Sequence, residues 1–117
     1  MQTEFRIFEV DAARVVEDQP VQVKLSDQAA LAVYVIDGQY YAVDDICTHE
    51  FAFLSEGYCE NGVIECPLHQ ARFDVRTGAA LGPPASLPIC TYRTEVCDGV
   101  VRIFVPTNAC GYTRKTA

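Results

Sequence analysis

Short runs in which apolar and polar residues alternate recur along most of the chain, and they predict strands. Phe5–Val10 opens the series, and Val21, Val23 and Leu25 alternate with Gln22 and Lys24 as in a half-buried strand. Leu31–Ile36 is rich in β-branched and aromatic residues. Asp37-Gly38 then turns it into Tyr40–Val43, because Asx-Gly pairs supply the backbone that two-residue hairpins need. Asn61-Gly62 leads in the same way into Val63–Glu65, and Arg72–Val75 forms a short strand closed by Thr77-Gly78. The stretch Gly82-Pro83-Pro84 with Pro88 is excluded from a central strand, since proline cannot donate to a ladder. Tyr92, Thr94 and Val96 alternate with polar neighbours, and Asp98-Gly99 joins them to Val100–Val105. One helical turn is expected around Asp11–Arg14. The prediction is an all-β domain, an antiparallel sandwich or barrel, over residues 1–106, with residues 107–117 as a C-terminal tail.

The chain has 117 residues, enough for one core, and half of them are hydrophobic, which argues against disorder. Its longest apolar run, Ala29–Ile36, is too short to cross a bilayer, and no basic-then-apolar leader is visible. A cytoplasmic protein with no membrane contact is expected. The net charge of −7, from sixteen acidic and nine basic residues, argues against nucleic acid and fits transient docking on a basic partner. The six cysteines suggest no disulfide framework in that compartment. Cys59, Cys90, Cys97 and Cys110 are expected to be reduced, buried, small hydrophobes.

Chemistry concentrates at two places. Cys47-Thr48-His49 and Cys66-Pro67-Leu68-His69 contain both histidines of the chain, with sixteen residues between His49 and Cys66. Each begins where a predicted hairpin strand ends. Two thiolates and two imidazoles make a complete set of metal ligands. Three readings compete: core cysteines with incidental histidines, a structural zinc site, and a two-iron, two-sulfur centre of Rieske type. In the last, two His replace two Cys on one iron. Accident is disfavoured because both histidines fall at matching offsets, and zinc because Cys-x-His is a cramped chelate. The Pro83-Pro84 segment is suited to cover the site as a third, stiff loop.

The stretches Asp45-Ile46-Cys47-Thr48-His49 and Glu65-Cys66-Pro67-Leu68-His69-Gln70-Ala71-Arg72-Phe73-Asp74-Val75 resemble the Rieske ferredoxins of bacterial aromatic-ring-hydroxylating dioxygenase systems. Leu54-Ser55-Glu56-Gly57 and Arg76-Thr77-Gly78 share the likeness, which runs from about Leu31 to Val105. The resemblance implies one [2Fe-2S] cluster, with Cys47 and Cys66 on a buried iron and His49 and His69 on an outer one near the protein tip. Rieske proteins of cytochrome complexes add a disulfide between the loops; the matching positions here are Ala52 and Leu68, so none can form. Their sulfur-directed Ser and Tyr hydroxyls are matched by Ala71 and Phe73. Fewer donors leave the cluster harder to reduce, so a potential near the low end of the Rieske range is expected, roughly −150 mV rather than +300 mV. Glu50 and Ala71 stand where the family often has Gly, and Ala71 raises the question of a positive φ in the second loop.

Both histidines are used by the cluster, which leaves none for a mononuclear oxygenase iron, and no Gly-x-Gly-x-x-Gly nucleotide site is present. The expected function is therefore not enzymatic. It is a monomeric one-electron carrier between a flavin-dependent ferredoxin reductase and a terminal oxygenase in aromatic hydrocarbon catabolism. The alternatives are a Rieske-like small subunit of an assimilatory nitrite reductase and a zinc-stabilised interaction module. Docking is expected around the two histidines, through Glu50, Phe51, Gln70 and Pro83.

Overall fold

The computed structural model describes residues 4–26, 29–47, 52–68, 70–83 and 87–107. Among them are nine strands: β1 (Phe5–Asp11), β2 (Val21–Ser26), β3 (Ala29–Ile36), β4 (Gln39–Asp44), β5 (Tyr58–Glu60), β6 (Val63–Glu65), β7 (Arg72–Asp74), β8 (Thr91–Cys97) and β9 (Val100–Pro106). Every pairing between them is antiparallel. Six strands form a curled sheet in the order β1-β9-β8-β4-β3-β2, and β5-β6-β7 form a second, smaller sheet. The all-β expectation holds.

The three Asx-Gly turns behave as their chemistry requires. Asp37 and Gly38, Asn61 and Gly62, and Asp98 and Gly99 all have positive φ, between 52° and 79°. That backbone matches the right-handed twist of the flanking strands. At the expected helical turn the chain forms a 3-10 turn, Ala12–Arg14, whose first N–H groups include one capped by Asp11.

β3 explains how nine short strands make a core. All eight of its residues are buried. Successive side chains leave opposite faces of a strand, so Ala32, Tyr34 and Ile36 enter one apolar cluster while Leu31, Val33 and Val35 enter another. The second cluster lies within the curl of the large sheet, with Val10, Val101, Ile103 and Val105. The first joins β3 and β4 to the small sheet through Ile64, Phe73 and Val75, and it contains Cys47 and Cys66. A strand buried on both faces reads as a continuous apolar run, as this one does. Among the described residues, the Tyr34 hydroxyl finds no hydrogen-bond partner in the first cluster, at a cost of about 1–3 kcal/mol.

Three expectations about cysteine are corrected, the first being Cys59, which is only half-buried and lies with its thiol 3.9 Å from Asp18 Oδ1. Cys97 is exposed, because β8 ends there and turns outward at Asp98-Gly99. Cys90 is half-buried and disulfide-bonded rather than a reduced core residue. The tail beyond Thr107 lies outside the described residues.

Candidate metal centre

Cys47 and Cys66 occupy equivalent positions in two small hairpins. The Cys47 N–H donates to the Ala52 carbonyl (3.0 Å), and the Cys66 N–H donates to the Ala71 carbonyl (2.7 Å). Each cysteine thus pairs with an alanine on the return, with four residues between them in the sequence. His49 and His69, which fall between those pairs in the sequence, lie outside the described residues, as do Glu50, Phe51 and Pro84.

The first hairpin grows from the end of β4. Asp45 donates its N–H to the Ala30 carbonyl (2.9 Å), Ile46 bridges Phe53, and the Leu54 N–H donates to the Asp45 carbonyl (2.7 Å). A 3-10 turn, Leu54–Glu56, then carries the chain away. The second hairpin is the tip of β6 and β7, with Glu65 opposite Arg72 and Ile64 opposite Phe73. Its turn is tightened by the Gln70 N–H on the Cys66 carbonyl (3.2 Å). Gln70 takes a positive φ of 62°, and Ala71 does not. The question raised by an alanine at position 71 is thereby answered: the left-handed residue is its predecessor, and the Ala71 methyl is fully buried.

Glycine at 57 joins the two hairpins. A Cβ there would collide with the Glu65 carbonyl oxygen and approach Pro67 Cδ to 3.0 Å. Only a residue without a side chain lets the return of the first hairpin pass so close to the strand feeding the second.

Both thiols are nearly inaccessible, 4 % for Cys47 and 1 % for Cys66, and both belong to one apolar cluster without a disulfide. Buried thiols are inert as nucleophiles. Two of them at the rigid ends of matched hairpins, each followed within three residues by histidine, form a donor set fit to hold iron and sulfide away from water. The Pro-rich stretch is tied at both ends, by the Leu81 N–H on the Arg72 carbonyl and the Ile89 N–H on the Gly78 carbonyl (both 2.9 Å). Leu68, Leu81 and Leu87 are exposed on the second hairpin and beside the ends of that stretch.

The sequence model of the Rieske [2Fe-2S] domain matches residues 6–93. The chain belongs to the Rieske [2Fe-2S] family. Its cofactor is a [2Fe-2S] cluster of Rieske type. The chain is 42% identical over 89 residues to the anthranilate 1,2-dioxygenase ferredoxin subunit of Burkholderia cepacia, covering 76% of this chain and 82% of that protein. It is 52% identical over 66 residues to the ferredoxin component of the naphthalene 1,2-dioxygenase system of Pseudomonas putida, covering 56% of this chain and 64% of the relative. Among solved structures, the Sphingomonas yanoikuyae B1 ferredoxin superposes with a TM-score of 0.77 at 43% identity, over 82% of this chain and 94% of that one. The ferredoxin in a complex of reduced oxygenase and oxidized ferredoxin from carbazole 1,9a-dioxygenase also gives 0.77, at 37% identity, over 82% of this chain and 99% of that one.

Two residues before Cys47 stands a polar group that the sequence presented only within a motif. Asp45 is fully buried, and its carboxylate accepts three hydrogen bonds: from the Ser55 N–H (2.7 Å), the Ser55 hydroxyl (2.6 Å) and the Gln22 amide (2.8 Å). Burial pushes its carboxyl above the usual range, while the donors from Ser55 and Gln22 pull it back. The available signal was an aspartate in the apolar run before Cys47; its partners, on β2 and after the loop, carried none.

Proposed function

We propose that this Rieske protein is a soluble, monomeric one-electron carrier. It takes electrons from a flavin-dependent NAD(P)H reductase and passes them to the Rieske centre of a terminal ring-hydroxylating oxygenase. The observation that carries the reading is the pair of buried, disulfide-free thiols closing equivalent four-residue hairpins in one apolar cluster. The ferredoxin components among its relatives point to the same role.

Residues 1–106 make the Rieske domain. Cys47 and Cys66 hold one iron, and His49 and His69 hold the other. When bound, the cluster accepts and returns a single electron. The chain's own residues position and shield it: the two hairpin ladders fix the thiolates, and the apolar cluster around them excludes water. Exposed Leu68, Leu81 and Leu87 offer an apolar rim for a docking partner. No helix among the described residues is long and apolar enough to cross a membrane; a cytoplasmic location is part of the same reading, because the proposed reductase draws on NAD(P)H.

The test is anaerobic mixing of the purified protein with reductase, NAD(P)H and then oxygenase. Bleaching of a brown-red spectrum by the reductase, and its return on adding oxygenase, is the expected result. A colourless, zinc-containing protein would overturn the reading, and so would a cluster that the oxygenase leaves reduced.

A further inference from the structure

Cys90 is half-buried and disulfide-bonded, and elimination points to its partner. Among the described residues Cys47, Cys59, Cys66 and Cys97 carry free thiols, and the chain has six cysteines, so Cys110 is what remains. Cys110 lies outside the described residues, three beyond Thr107. The register of the large sheet puts the match within reach. Arg93 pairs with Phe104, so Cys90 comes three residues before one partner and Thr107 three residues after the other. Three more residues of chain span up to about 10 Å, and the Cα atoms of a disulfide stand about 4.4–6.8 Å apart. Cys90 also sits where the Pro-rich stretch ends. Its neighbour Ile89 is buried in the apolar cluster that contains Cys47 and Cys66, and the Cys90 carbonyl accepts from the Asp44 N–H at the end of β4 (2.8 Å).

We propose that Cys90 and Cys110 form a redox-sensitive tether that fastens the C-terminal segment to the end of the Pro-rich stretch. Closing the tether joins two thiols into one S–S bond, and their two electrons and two protons pass to a small-molecule disulfide, which becomes two thiols. Opening reverses this: two molecules of a small thiol such as glutathione are oxidised to their disulfide, and each cysteine sulfur regains a proton. Disulfides in a thiol-rich compartment are characteristically redox-sensing rather than structural, and the partial exposure of Cys90 lets a small thiolate reach its sulfur. The closed bond constrains the chain ends it joins, and so holds Ile89 against the cluster that contains the two buried thiols. Opening relaxes that edge and admits water and oxygen to the metal centre. The effect on the metal rests on the ligand assignment above; the bond itself does not.

The experiment is peptide mapping of the full chain without reductant, followed by timing of cluster loss. Free thiols are blocked with iodoacetamide in denaturant before trypsin cuts, which leaves Cys90 on the 77–93 peptide and Cys110 on the 103–114 peptide. One species joining these two peptides, lost on adding dithiothreitol, is the expected result. Both peptides alkylated, or a species joining two copies of the 77–93 peptide, overturns the proposal. The holoprotein is then equilibrated in glutathione buffers of increasing reducing strength, and bleaching by an iron chelator in air is timed. Opening of the bond is expected to shorten the lifetime of the cluster several-fold, and Cys110→Ser is expected to show the short lifetime in every buffer. A wild-type lifetime that stays constant while mapping shows the bond opening overturns the proposal without any variant. So does a Cys110→Ser protein as long-lived as the oxidised wild type. A colourless wild type that still gives the joined peptide refutes the cluster reading instead. The drop in denaturation midpoint expected on opening then still reads the tether, so the two failures are distinguishable.

Discussion

In the first hairpin the strand delivering Cys47 is secured by side chains, whereas in the second the strand delivering Cys66 is secured by a ladder. Asp45, Ser55 and Gln22 bind three separate segments at the first, and they do so with charge-assisted hydrogen bonds. At the second, Glu65 and Ile64 pair with Arg72 and Phe73, and Ile64, Ala71 and Phe73 have no exposed surface. The spans match, four residues between Cys and Ala in each case. The difference arises from where each hairpin is rooted. The first leaves the end of β4 beside β3, to which Asp45 bonds through the Ala30 carbonyl, and polar side chains add further lateral support. The second belongs to a three-stranded sheet whose inner face is already buried. A buried cysteine can therefore be fixed by a polar clasp or by an apolar ladder, and the two should fail differently.

The largest effect is expected where the apolar support is removed. Phe73→Ala deletes a fully buried ring between the second hairpin and β3, and a loss of about 3–5 kcal/mol is expected in chemical denaturation. Iron content should fall with it, because the Cys66 limb loses its packing. Gly57→Ala tests the joint between the hairpins. Its methyl meets the Glu65 carbonyl, which cannot give way without moving β6, and about 3 kcal/mol of destabilisation is expected. A nearly neutral Gly57→Ala would mean that the hairpins are not mechanically joined there.

Much of this arrangement was legible beforehand, and the reason is local chemistry. Three Asx-Gly pairs fixed three hairpins because both residues accept positive φ at little cost. Both cysteine loops stood out because metal ligands, the role proposed for them, must be particular residue types at short spacing. β5 was not. Tyr58-Cys59-Glu60 has no apolar alternation of its own, and it is a strand because β6 pairs with it, Cys59 facing Ile64. The clasp was illegible for a related reason. Asp45 finds Gln22 across 23 positions and Ser55 across 10, and only tertiary structure brings them together. The exposure of Cys97 and the disulfide at Cys90 were equally hidden, since the type of a residue does not state its surroundings.

A smaller effect separates the hairpins by pH. Cys59 is a titratable side chain that β5 packs against the first apolar cluster, and its thiol lies 3.9 Å from Asp18 Oδ1. Burial first, then the charges of Asp18 and Glu17, push it up from 9.0 to about 11. The folded protein thus keeps a proton that the unfolded chain releases. The resulting stabilisation is fully present below about pH 9 and is lost as pH rises to about 11. Because the thiol is only half-buried, solvent screening reduces the contribution to about 1 kcal/mol. Denaturation series from pH 8 to 11 should show the wild type losing that much more than Cys59→Ala. Parallel curves would show that the small sheet carries no such strain.

The smallest effect probes the turn of the second hairpin. Gln70 holds φ at 62° while its N–H closes on the Cys66 carbonyl, and its side chain is exposed. An L-residue with a Cβ pays for that left-handed backbone, and glycine does not. Glycine also gains freedom in the unfolded chain, which offsets part of the relief. Gln70→Gly is therefore expected to stabilise the protein by about 0.5 kcal/mol, read as a small rise in the denaturation midpoint at unchanged slope. The neighbouring position should respond oppositely. Ala71→Gly leaves a cavity in the fully buried cluster and loses stability by about 1 kcal/mol, since its φ is not positive and nothing is relieved. If instead Ala71→Gly stabilised and Gln70→Gly did not, the left-handed residue of the ladder-held hairpin would be Ala71.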